Sequence, residues 1–98
     1  MQARNRVKKM EKILNRQLYL IEQLTALLGE VEDAQDDFNA LLDYYQSQTY
    51  MEDLSLEEKG HFNDLPRGIL SEDGIYNLLF DRRELSEKLY KVANELEL

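Results

Sequence analysis

The stretch "QLTALLGEVEDAQDDFNALL", residues 23–42, holds the one candidate break in a long helical pattern, at Gly29. Either the chain runs through this glycine or it turns back there. The apolar residues on both sides answer in one voice. With Val7 as position a of a heptad, the a series is Val7, Leu14, Ile21, Leu28, Gln35 and Leu42. The d series is Met10, Gln17, Leu24, Val31, Phe38 and Tyr45. Only Gln35 and Gln17 are polar in this seam, and the register does not slip between residues 7 and 45. Ile13, Leu20, Leu27, Ala34 and Leu41 add the flanking g position and broaden the stripe.

One glycine costs about 1 kcal/mol relative to alanine inside a helix, which does not end it. A reversal needs a loop of roughly 2–5 residues and normally resets the phase. Leu28 and Val31 stay in phase across Gly29. The pattern therefore predicts one long helix over residues 3–47, bent at Gly29 if anywhere and roughly 67 Å long at 1.5 Å per residue. The alternative is a turn at residues 29–33 with Asp33 as a new N-cap, which makes a three-helix bundle.

The pattern stops at "YYQSQTY", residues 44–50. Two capping-box signatures follow, Thr49 with Glu52 and Ser55 with Glu58, and Gly60 supplies a C-terminal stop. Residues 48–71 read as a connector with short helical turns. The last helix is predicted over 72–96, where Ile75, Leu78, Leu79, Leu85, Leu89, Val92 and Leu96 recur at helical spacing. The expected architecture is a single all-α domain over 1–98, a coiled-coil-like hairpin with the C-terminal helix antiparallel to the long one.

"LPRGILSED", residues 65–73, reads as the hinge that starts the last helix. Ser71 is a good N-cap, and Glu72 and Asp73 follow in the first turn, where the helix dipole favours carboxylates. Leu70 and Ile75 have the spacing of a hydrophobic staple. Pro66 holds Leu65 extended. Gly68 is expected to take a positive φ, and Arg67 is expected to reach the two carboxylates.

Composition bounds the function. Ninety-eight residues without cysteine leave no disulfide or thiolate metal site and suit a reducing, cytoplasmic setting. No apolar run is long enough for a signal peptide or a membrane anchor. Residues 1–16 carry six basic side chains (Arg4, Arg6, Lys8, Lys9, Lys12, Arg16) against Glu11; residues 17–98 carry six against nineteen acids. The chain is a short basic end on a long acidic body, which repels nucleic acid from most of its surface.

Two blocks resemble a small bacterial domain-of-unknown-function family, number 4298. The first is "LLDYYQSQTYMEDL", with Tyr44, Tyr45, Ser47, Tyr50 and Asp53; the second is "GHFNDLPRGILSEDGIYNLL", with Arg67-Gly68 leading through Ile69-Leu70 into Ser71-Glu72-Asp73. The resemblance covers nearly the whole chain, although the heptad helix adds little to it. Position 50 is more often tryptophan in such proteins, and Gly74 stands where a better helix former is expected. The resemblance implies a bacterial, cytoplasmic, mostly helical protein and carries no established activity.

No constellation points to catalysis or to a cofactor. His61 is the only histidine, and metal sites recruit several nitrogen or sulfur ligands or a denser set of oxygens. Glu32, Asp33, Asp36 and Asp37 read as a solvated helix face, since a di-iron bundle needs Glu-x-x-His pairs. The candidate interaction residues are the cluster Tyr44, Tyr45 and Tyr50, because tyrosine is favoured at interface hot spots, and the exposed seam Val7, Met10, Leu14 and Ile21. The expected function is a protein-interaction or regulatory module, homodimeric and without catalysis. The rival is a nucleic-acid role, by binding through residues 4–16 or by acidic mimicry of DNA.

Overall fold

The computed structural model describes residues 1–71 and 73–97, and among these the fold is all-α. Helices α1 (Gln2–Asp33), α2 (Gln35–Tyr45), α3 (Gln48–Glu58) and α4 (Gly74–Leu96) follow in order, with a 3₁₀ turn at Gly68–Leu70 before α4. The chain divides into two units, Met1–Leu41 and Leu42–Leu98.

In the first unit, Gly29 lies inside α1, and nothing approaches within 4 Å of the place a Cβ would take. The helix runs through the glycine without a turn at 29–33. The predicted continuous helix is instead interrupted at Ala34, whose φ of −89° and ψ of 3° leave the α region. The Ala34 amide still bonds the Glu30 carbonyl (3.0 Å) and the Phe38 amide bonds the Ala34 carbonyl (3.1 Å). The break is one residue deep. Around it Glu32 and Asp36, and Asp33 and Asp37, stand four apart, like-charge pairs that cost about 0.2–0.5 kcal/mol each within one continuous helix. A new start at Gln35 moves Asp36 and Asp37 into a first turn, where the dipole favours them.

The second unit is built on caps. Ser47, not Thr49, starts α3: it is extended (φ −99°, ψ 162°), and its Oγ accepts from the Tyr50 amide (3.2 Å). The same hydroxyl donates to the Tyr44 carbonyl at 2.6 Å, so one side chain closes α2 and opens α3. Ser55, expected to begin a second turn, is an interior residue of α3. The helix ends as the sequence indicates. Gly60 has φ +80°, its amide bonds the Glu57 carbonyl and the His61 amide bonds the Leu56 carbonyl, the two bonds of a Schellman motif.

The hinge keeps its function but changes its parts. Ser71 Oγ accepts from the Gly74 amide (3.1 Å) and donates to the Gly68 carbonyl (2.7 Å), tying the 3₁₀ turn to α4. Gly68 does not take a positive φ, since it sits in that turn, and open space surrounds its Cβ position. The last helix starts at Gly74, and its predicted start at residue 72 lies outside the described residues. Gly74 is what the hinge demands: a Cβ there would meet the Gly68 carbonyl oxygen at 2.0 Å and Ser71 Oγ at 2.8 Å. Arg67 turns towards Glu57 and Asn63; its expected partner Glu72 lies outside the described residues. Among the described residues Tyr50 and Ile75 are the buried apolar ones, and the 3₁₀ turn packs against both α3 and α4.

Candidate functional site

The tyrosines are brought together in the second unit. The Tyr50 ring meets Tyr44 edge-on at 5.4 Å between centroids and Tyr45 at 5.1 Å. Such pairs contribute about 0.5–1.5 kcal/mol beyond the area they bury. The spacing follows from the chain: Tyr44 and Tyr45 close α2, and the Ser47 cap turns Tyr50 back onto them. Tyr50 is buried, and its hydroxyl donates to the Ile69 carbonyl (3.3 Å), joining α3 to the 3₁₀ turn. Its role is packing, so it offers no surface to a partner; Tyr44 and Tyr45 are half-buried.

Tyr44 donates to Asp53 Oδ2 at 2.6 Å. That bond to a carboxylate, with desolvation second and the nearby charge of Asp53 third, pushes the Tyr44 phenol up to about 12. Burial, followed by the proximity of Tyr45, raises Tyr50 as well. Both hydroxyls hold their protons at neutral pH and act as donors, not as bases. Asp53 received no role from the sequence beyond its place in the family block; its α-helical position nine residues after Tyr44 leaves no local signal of the pairing.

A cleft of about 500 Å³ at the hinge is lined by Glu57, Leu65, Pro66, Arg67, Gly68, Leu70 and Ser71. Arg67 bonds Glu57 Oε1 at 2.8 Å and Asn63 Oδ1 at 2.9 Å, while Glu57 Oε2 is buried with no hydrogen-bond partner among the described residues. Pro66, Arg67, Gly68, Ser71 and Asp73 all belong to the hinge. Among the described residues no group of three His, Cys, Asp or Glu side chains is placed to hold a metal ion. His61 is exposed.

The other candidate surface is α1. This helix buries no residue along its whole length. Val7 is 64 % exposed, Met10 51 %, Leu14 50 % and Ile21 49 %, and Ile13, Leu18, Leu20, Leu27 and Val31 are exposed with them. The basic residues of positions 4–16 stand on the same helix, and Glu30, Glu32 and Asp33 close its other end. No described helix is long and apolar enough to cross a membrane.

The model of the family described as "Domain of unknown function (DUF4298)" matches residues 7–92, and the chain belongs to that family. No curated protein and no solved structure matches it.

Proposed function

We propose that the protein is a helical interaction module that works through the apolar face of α1, associates with a second copy of itself, and carries no catalytic site. The observation that carries this reading is the uncovered stripe of Val7, Met10, Ile13, Leu14, Leu18 and Ile21. Fully burying each large aliphatic side chain is worth roughly 1.5–3 kcal/mol, so a face of this length favours a partner over water. The tyrosine cluster and the hinge support the reading from the other side. Tyr44 bonds Asp53, Tyr50 bonds the Ile69 carbonyl and Arg67 bonds Glu57, ties that make the second unit a scaffold.

Light scattering at micromolar concentration tests it. The expected mass is that of two chains, and Leu14→Lys with Ile21→Lys should return the mass of one chain at unchanged α3–α4 stability. A single-chain mass for the unaltered protein overturns self-association. A DNA gel shift that charge reversal at Lys8, Lys9 and Lys12 abolishes would replace the module by the nucleic-acid role.

A further inference from the structure

Resting on the self-association just proposed, we infer that the second copy lies antiparallel on α1, with Val7 opposite the partner's Val31 and the two-fold axis at the level of Tyr19. In an antiparallel pair the a residues of one helix face d residues of the other. This register sets Val7 on the partner's Val31, Met10 on the partner's Leu28, Leu14 on the partner's Leu24 and Gln17 on the partner's Ile21. Every a and d residue of α1 between positions 7 and 31 then has an opposite, and all but Gln17 are apolar. The flanking positions agree: Ile13 meets the partner's Leu27, and Leu18 and Leu20 each meet their own copy beside the axis. Apart from the half-buried Leu24, these are side chains that α1 leaves exposed.

Charge selects this orientation. Six basic residues occupy positions 4–16, and Glu30, Glu32 and Asp33 end the helix. The antiparallel pair lays each basic end along the partner's acidic end and places Arg4 at the e position opposite the partner's Glu32, twice by symmetry. A parallel pair stacks the basic ends on each other and the acidic ends on each other. Slipping one heptad in one direction sets Glu11 against the partner's Glu32 and drives the seam across the interruption at Ala34. Slipping the other way leaves Val31 with nothing opposite and sets Leu28 against only the small Ala3. One register remains.

The chain has no cysteine, so introduced thiols report cleanly. Val7→Cys and Val31→Cys variants are purified separately, mixed to exchange subunits, and oxidised mildly. The mixture should cross-link into dimers, while each variant alone should cross-link at least tenfold less. Self-linking of Val7→Cys means a parallel pair and overturns the inference; so does a dimer by light scattering that neither variant nor the mixture traps. A single-chain mass without oxidation is the separate failure of self-association itself. As a second reading, Arg4→Glu should raise the dimer Kd about tenfold, and adding Glu32→Arg should restore it. A double variant no tighter than the single one refutes the register.

Discussion

Replacing Gly74 by alanine tests the hinge most sharply, because helix propensity and packing predict opposite signs. Gly74 is the first residue of α4, and a glycine-to-alanine change in a helix is ordinarily stabilising by up to about 1 kcal/mol. Here the added methyl would lie 2.0 Å from the Gly68 carbonyl oxygen and 3.0 Å from its carbon. These are backbone atoms, and a backbone does not step aside as a flexible side chain does. The 3₁₀ turn and α4 must separate, which strains or breaks the bonds from Ser71 Oγ to the Gly68 carbonyl and from the Gly74 amide to Ser71 Oγ.

Overpacking costs about 1–3 kcal/mol, and each hydrogen bond lost adds about 1 kcal/mol. With both bonds lost and the propensity gain set against them, the net is a destabilisation of at least about 2 kcal/mol. For a chain of this size that lowers Tm by about 8 °C or more, readable by thermal melts followed by circular dichroism. Ser71→Ala supplies the internal control: it removes both hydroxyl bonds without the clash and should cost about 1–2 kcal/mol. Gly68→Ala, with open space around it and no left-handed φ, should stay within about 0.5 kcal/mol of the parent. A Gly74→Ala protein that melts at or above the parent temperature refutes the close approach and the hinge built on it.

Three further outcomes follow from single contacts. Gly29→Ala, placed in open space inside α1, should stabilise by up to about 1 kcal/mol, and a fall in Tm would contradict the unbroken helix at that point. Ser47→Ala removes the hydroxyl that serves both α2 and α3 and should cost about 1–2 kcal/mol in urea unfolding; Thr49→Ala should cost far less. Tyr44 holds its proton more tightly when folded, with its phenol pushed up to about 12 from 10.0, so the bond to Asp53 contributes its full stability below pH 10 and loses it as pH rises towards 12. Tyr44→Phe should therefore be less stable than the parent at pH 8, with the gap narrowing by pH 11; a gap that widens would reverse the sign of the linkage.

The periodicity of α1 and α4 was legible because a helix exposed to water on one side writes its face into the sequence every three to four residues. The end of α3 was legible for a local reason too, since a positive φ at Gly60 is what glycine at a helix terminus supplies. The break at Ala34 was hidden behind the best helix-forming residue. The carboxylates on either side repel within an unbroken helix, but that repulsion is a sum of small pair energies and not the property of any one position. Choosing Ser47 over Thr49 as the cap, and Glu57 over Asp73 as the Arg67 partner, depended on where α2 ends and how the 3₁₀ turn folds back. Those are tertiary facts. Gly74 is the clearest case: judged by propensity it is a weak start to a helix, and judged by the distance to the Gly68 carbonyl it is the residue that allows the helix to start there.

The same reasoning sets a condition on α1. A helix that buries none of its residues has only propensity and local pairs to hold it. Its carboxylates at the C-terminal end oppose the helix dipole, no acid stands in its first turn, and no side chain caps its start. Tertiary packing supplies most of the stability of helices in folded proteins, so the face of Val7, Leu14 and Ile21 must find its packing in association. Helix formation and pairing in α1 are then one equilibrium, and far-ultraviolet ellipticity should fall on dilution through the dimer Kd, whereas the capped second unit should keep its signal. Ellipticity unchanged across that range, with the mass falling to one chain, would show α1 standing without its partner and would remove the energetic reason for the pair.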